Sequence, residues 1–456
     1  MSVDITKSKV VYRKFHGSMD IVTMGEGPYL YFDDGVQRFD LSSGPCTSSL
    51  GHSNLQVISA IKDQLGKIPF AFSGFWASEQ SEKLGDLIHR EFERTWPGWF
   101  GKVLFLSAGG EAVDLACKLA YQYWIEGFEK KILIGAREFG FHGVGLLTAA
   151  LSGNYPRYEL IDHYHQPTRN NYVVRLPGYL GIPDVGLQKQ ISMIEYESLL
   201  LVMTEKIVGF NSLAAVIVET VGGPPVGIAT PLSVYMKGLR DICDRHNTLL
   251  IFDEILCGVG RCGEFTAAQL YGVKPDILIL GKGLTSGYLP LSALCISERI
   301  VDRLSKGSGL VSFGTTYSAH TTACAAGVAT LEYLRDNYLY DMIFRRGEHL
   351  KLREYFSDLP VVFAVRGLGY LWGIEFWDPI KQCSFSPEVE FHLLVRKEAY
   401  KRGLVTYSKG QTVNGLRDYL IVAPPFDADL GVLDEPLSKL RWAISSAYEQ
   451  FRKGSI

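Results

Sequence analysis

Two charged residues at the ends of neighbouring apolar runs hold the most chemical promise in this sequence. Leu249-Leu-Ile-Phe runs into Asp253 and Glu254, and the next such run, Asp276-Ile-Leu-Ile-Leu, delivers Gly281-Lys282-Gly283. Runs of this kind suit strands buried on both faces, and open parallel sheets bind ligands outside the carboxyl ends of their strands. A lysine held in a partly apolar cleft has its ammonium form disfavoured, so its amine can attack an aldehyde. A carboxylate on the adjacent strand end can face a pyridinium nitrogen and keep that ring protonated as an electron sink. Asp253 and Lys282 are therefore the candidate catalytic pair. Taken by itself, the spacing also fits a solvated strand terminus and a surface lysine in a βα loop.

A phosphate-bearing ring needs a cradle and a clamp. Ser107-Ala108-Gly109-Gly110-Glu111-Ala112 offers backbone N–H groups at the start of a helix whose buried face is marked by Ala112, Leu115, Ala116, Leu119, Ala120 and Tyr123. The glycine pair also suits a plain tight turn. Phe141 in Phe139-Gly-Phe-His142-Gly143 can lie on one face of the ring. Ile255, two residues after Asp253 and on the same side of the strand, can lie on the other. Both residues also suit ordinary core.

Two further patterns are weaker. Gly258-Val-Gly-Arg-Cys-Gly263 has the G-x-G-x-x-G form of nicotinamide-dependent dehydrogenases, but two acids separate the strand from the glycines and the segment that follows is short. His163 and His165 could bind a metal as an i,i+2 pair, although a polar loop is preferred and no metal is expected.

The elements that must position these residues follow from texture. Of 456 residues 47% are hydrophobic, enough for a large domain with a smaller one beside it. Tyr29-Leu-Tyr-Phe and Gln37-Arg-Phe-Asp flank an Asp-Gly turn and predict a β-hairpin. Strand candidates at Val103, Lys131, Ala214, Leu249 and Asp276 alternate with amphipathic helices, which predicts an α/β domain on a largely parallel sheet. After residue 325 shorter strands, including Leu371-Trp-Gly-Ile-Glu-Phe, predict an α+β unit. The expected division is 1–69, contributing to the small domain, 70–325, the large cofactor-binding domain, and 326–456, the C-terminal small domain.

Lys and Arg total 46 against 49 Asp and Glu, with no basic run, so nucleic acid is not an expected partner. The N-terminus lacks an apolar signal core and no apolar stretch approaches the roughly 20 residues of a membrane span. A cytoplasmic protein is expected. The eight cysteines form no Cys-x-x-Cys pair, so reduced, packed thiols are expected rather than structural zinc.

The stretch from Phe252-Asp253-Glu254 through Gly260-Arg261-Cys-Gly263 and on to Gly281-Lys282-Gly-Leu-Thr-Ser-Gly-Tyr-Leu-Pro290 resembles the class III, fold type I aminotransferases. The similarity is greatest to the ω-amino acid and amine:pyruvate branch and runs from the hairpin to Ala423-Pro-Pro425. It implies a large domain with a mainly parallel, seven-stranded-type sheet and a smaller α+β domain. It implies pyridoxal 5'-phosphate held by Lys282 as a Schiff base, Asp253 at the pyridine nitrogen, Gly109 and Gly110 at the phosphate, and Phe141 and His142 at the ring. Glu219 is implied near the cofactor, and Thr316 is implied to reach the phosphate of the neighbouring subunit in a homodimer.

Where members often carry serine and tyrosine, this chain has Gly110 and Phe141. Ser43-Gly-Pro-Cys46 lines up with a substrate-pocket loop, Pro45 replaces the glutamine of the decarboxylase branch, and Pro224 stands where some members place a gating glutamate. Phe70, Phe72, Phe75 and Trp76 are candidates to wall the pocket, with a core role equally open. Arg417 resembles the mobile arginine that grips an acid carboxylate, and a surface salt bridge to Asp418 is its other reading. The implied activity is ping-pong transfer of an amino group from an amine or ω-amino acid to a keto acid such as pyruvate or 2-oxoglutarate. An epimerase, aminomutase or decarboxylase of the same fold would keep the same lysine and aspartate.

Overall fold

Apolar runs become strands here where both of their faces are covered. In the computed structural model, which describes residues 2–12, 15–153, 171–180, 191–410 and 417–454, β9 (Leu213–Glu219), β10 (Leu249–Asp253) and β11 (Ile277–Leu280) are buried at every position. Alternate side chains feed two separate cores. Ile217, Ile251 and Ile279 join the core beneath the Gly109–Glu126 helix, while Val218, Phe252 and Leu280 join the core on the other face. Each such side chain contributes about 1.5–3 kcal/mol through burial.

These strands belong to a seven-stranded sheet ordered β6-β12-β11-β10-β9-β7-β8, completed by β6 (Phe100–Leu106), β7 (Leu133–Arg137), β8 (Val173–Leu176) and β12 (Ser292–Ser297). Only β12 runs against its neighbours; the other pairings among β7 to β11 are parallel. The mainly parallel sheet expected from the sequence is thus present, with β8 and β12 in addition to the strands read from apolar runs.

Among the described residues the remaining strands form three smaller sheets. The hairpin of β4 (Tyr29–Phe32) and β5 (Gln37–Asp40) forms as expected, with β3 (Val22–Glu26) on one side. On the other side β15 (Leu404–Val405) pairs in parallel with β5, which joins the chain's beginning to its C-terminal part. A second four-stranded sheet has the order β13-β14-β17-β16, from β13 (Val362–Leu368), β14 (Leu371–Phe376), β16 (Tyr407–Lys409) and β17 (Asp418–Val422), and is antiparallel throughout. A short antiparallel pair, β1 (Ser2–Asp4) and β2 (Ser18–Asp20), completes the set. Among the described residues no helix is long and apolar enough to cross a membrane.

The helix expected directly after Ser107-Ala-Gly-Gly starts earlier, with Ala108 as its N-cap and Gly109 and Gly110 in its first turn. Close packing explains the difference. A Cβ on Gly109 would lie 2.7 Å from the Ile255 side chain, so glycine lets the first turn approach the strand end directly.

Candidate active site

Register brings the site together. Asp253 is paired with Glu219 on one side and with Ile279 on the other, so the carboxyl ends of β9, β10 and β11 lie level. Lys282 follows β11 by two residues with φ +41°. That left-handed conformation is strained for a lysine, and strain of this kind concentrates at functional sites. The Lys282 side chain is buried, and burial pulls its amine below the ordinary lysine value, against the attraction of Asp253 and Glu219.

The two adjacent acids part company because strand alternation sends them to opposite sides. Asp253 turns to the cavity, where its Oδ2 lies 2.8 Å from His142 Nδ1 and its Oδ1 accepts the Ile255 N–H at 3.1 Å. Glu254 points away and accepts the N–H groups of Ala267 and Ala268 at 2.7 and 2.6 Å. It fastens the start of a short helix rather than serving the cavity. Glu219 is buried beside His142, Arg137 and Asp253, and burial pushes its carboxyl up to about 7 while it accepts the Phe141 N–H at 3.3 Å.

These groups border a cavity of about 1130 Å³, large enough for a cofactor and a substrate together. At one end stands the N-terminus of the Gly109–Glu126 helix. Its N-cap, Ala108, has no side-chain acceptor, so the first-turn N–H groups are left for an anion. Phe141 and Ile255 both line the cavity, and Ile255 is wedged so closely against Gly109 and Gly281 that a Cβ on either would crowd it. A phosphate-bearing flat ring fits this arrangement: donors at one end, a carboxylate backed by histidine, two apolar walls, and a buried amine.

The aminotransferase class III family model matches residues 12–431. The chain is a class III aminotransferase. It is 31% identical over 454 residues to the uncharacterised aminotransferase YodT of Bacillus subtilis, covering 98% of this chain and 99% of that one. It is 33% identical over 341 residues to the beta-alanine–pyruvate aminotransferase of Pseudomonas aeruginosa, covering 71% and 72% of the two chains. A solved transaminase from directed evolution by ancestral reconstruction superposes with a TM-score of 0.86 at 28% identity, covering 95% of this chain and 93% of the other. The aminotransferase has fold type I and depends on pyridoxal phosphate, as its family does.

Of the residues singled out in its sequence, the aminotransferase gathers Gly109, Gly110, Phe141, His142, Glu219, Asp253, Ile255 and Lys282 around one cavity, together with Cys46. Cys46 is buried at φ +62°, in a loop tied down by Ser43 Oγ donating to the Ala423 carbonyl at 2.7 Å. Three residues lie elsewhere. Trp76 is 65% exposed and packs edge-on to Phe75. Thr316 is exposed in the segment before the Thr321–Asp336 helix. Arg417 lies with its guanidinium 3.4 Å from the Phe363 ring centroid and does not border the cavity.

Gly258 to Gly263 do not form a dinucleotide turn in this aminotransferase. Arg261, between those glycines, is buried and donates to the Pro424 carbonyl at 2.5 Å. His163 and His165 lie outside the described residues, and among the described residues no cluster suits a metal ion. Sequence reasoning passed over Thr285, Val405, Tyr407 and Lys409, which also line the cavity. The available signal was the i,i+2 spacing of Tyr407 and Lys409, which puts both on one face of a strand.

Proposed function

We propose that this aminotransferase moves the amino group of an amine or ω-amino acid to a keto acid such as pyruvate or 2-oxoglutarate, in two half-reactions at one cavity. The observation that carries the reading is the buried Lys282 beside Asp253 on level strand ends, with Asp253 held by His142 at 2.8 Å. Pyridoxal phosphate, when bound, supplies the aldehyde and the ring that takes up the charge of a substrate carbanion. Lys282 Nζ is the base that would take the proton from substrate Cα and deliver it to the carbon that was the cofactor's aldehyde, made competent by burial that leaves its amine neutral more readily. Asp253 holds a proton on the ring nitrogen, and His142 fixes the orientation of that carboxylate. The N–H groups of Gly109 and Gly110 would hold the phosphate, and Phe141 and Ile255 would hold the ring between them.

Relatives support the substrate classes: the beta-alanine–pyruvate aminotransferase, and a gamma aminobutyrate transaminase of Solanum lycopersicum that is 29% identical over 434 residues. Trp76, Phe75, Tyr317 and Thr316 lie exposed on the protomer's surface, and the Phe70 and Tyr317 rings, 5.8 Å apart, join their two segments. That patch supports a homodimer in which Thr316 and Trp76 serve the partner's cavity. The eight unpaired cysteines support a cytoplasmic setting, where thiols stay reduced.

A panel of amine and ω-amino acid donors against pyruvate and 2-oxoglutarate, with product analysis, tests the reading. Stoichiometric conversion of keto acid to amino acid is expected. Carbon dioxide release, or isomerisation of the donor without a keto acid, would transfer the enzyme to another reaction of the same fold.

A further inference from the structure

The Met193–Phe210 helix is apolar on two sides, and its own chain covers one of them. Tyr196, Leu200, Thr204 and Val208 are buried at a spacing of four, where the helix packs on the Ser233–Arg245 helix and on β8. Glu205 joins the same side by pairing with Arg245 at 2.7 Å. The outward side carries Leu199, Val202, Met203 and Phe210, which are 56%, 50%, 46% and 91% exposed. Glu195 and Lys206 are exposed in the same stripe. Glu195, Leu199, Val202 and Lys206 recur at the four-three-four spacing of a helix–helix seam.

The two charges say what this stripe fits. Neither has an opposite charge three or four residues away along the helix. Glu195 accepts the Ser192 N–H at 2.7 Å at the helix start, and Lys206 stands almost three turns further on. The midpoint of Leu199 and Val202 is also the midpoint of Glu195 and Lys206. A second copy laid antiparallel about a two-fold axis through that point has the same rise per residue, so Leu199 of each copy comes level with Val202 of the other. Glu195 of each copy then comes level with Lys206 of the other, and two ion pairs bracket an apolar centre. A parallel copy would set each charge against its like. A membrane surface would call for basic residues beside the apolar stripe, whereas the charges here balance.

We propose that the outward face of the Met193–Phe210 helix is a self-association surface, on which two copies of this chain pair antiparallel about a two-fold axis. The helix stands at the β8 edge of the seven-stranded sheet, while Trp76 borders the same groove as β6 at the opposite edge. The contact is therefore separate from the homodimer surface proposed above and joins two such dimers.

Sedimentation of the purified holoenzyme reads the contact as mass. Val202→Glu, Lys206→Glu and Glu195→Lys should each weaken it about tenfold or more, giving particles of half the wild-type mass at concentrations where the wild type is assembled. The helix does not border the cofactor cavity, so retained cofactor absorbance shows that a variant has folded. Lys206→Glu and Glu195→Lys repel their own copies, yet mixed together they should regain the wild-type mass, because each mixed pair has opposite charges at both ends. Val202→Glu leaves the Ser192 bond intact and decides the matter if Glu195→Lys fails to fold.

Equal masses for wild type and Val202→Glu would overturn the proposal and leave this face to a different protein. A mixture of the two charge variants that stays at half mass would overturn the antiparallel pairing. The halving is expected whether the unit that pairs is a single chain or a homodimer, and it is independent of which reaction the cavity performs.

Discussion

Glu219 sits in register with Asp253, and burial raises its carboxyl from 4.5 to about 7, against the favourable pull of His142 and Arg137. A carboxyl raised on folding stabilises the fold fully below its unfolded value and loses that contribution as pH climbs through the folded value. For the cofactor-free protein the loss falls between about pH 4.5 and 7 and is on the order of 3 kcal/mol. Glu219→Gln keeps an acceptor for the Phe141 N–H and carries no such titration. In urea unfolding near pH 5 and near pH 8, the stability difference should shift toward the Gln variant at the higher pH; a difference independent of pH would mean that Glu219 is not held protonated by burial. Such residues were legible where their type is unusual for their place, as an acid or a lysine at the end of an apolar run is. Lys409 was not, because a lysine in a short polar strand looks like any solvated lysine until strand pairing shows which way it faces.

The central strands could be read as elements because parallel strands buried on both faces leave long apolar runs. By contrast β12 was missed: it follows β11 after a short segment, and its run Ser292-Ala-Leu-Cys-Ile-Ser is bracketed by serines that read as loop. The Gly109–Glu126 helix was found by its buried face, while its first turn was hidden in two glycines whose helical conformation depends on packing against Ile255. The loop after β10 shows the same dependence. Its Arg261, 2% exposed, spans from that loop to the Pro424 carbonyl at 2.5 Å and lies 4.5 Å over the Phe426 ring, with burial lowering its guanidinium to about 10. Arg261→Ala removes a charged bond to a buried carbonyl and leaves a void, so it should destabilise the protein by about 3 kcal/mol or more in urea unfolding. A change below about 1 kcal/mol would mean that the loop is anchored by other contacts.

For the whole molecule, the proposed homodimer makes each cavity the work of two chains, Lys282 from one and Thr316 from the other. Composition gives no hint of this, since a protomer's exposed aromatic residues are ordinary until they pair off as Phe75 does with Trp76 and Tyr317 with Phe70. Lys282→Ala and Thr316→Glu are each expected to be inactive or nearly so, the first lacking the amine and the second repelling the phosphate. Unfolded together and refolded as mixed dimers, they should regain activity, because one cavity then has both native residues; no recovery would place Thr316 outside the shared site. The account as a whole stands on Lys282 as the residue that binds the cofactor. Borohydride reduction of the holoenzyme followed by peptide mass analysis should find the pyridoxyl phosphate mass on the peptide containing Lys282, and a label on any other lysine, or on none, would contradict it.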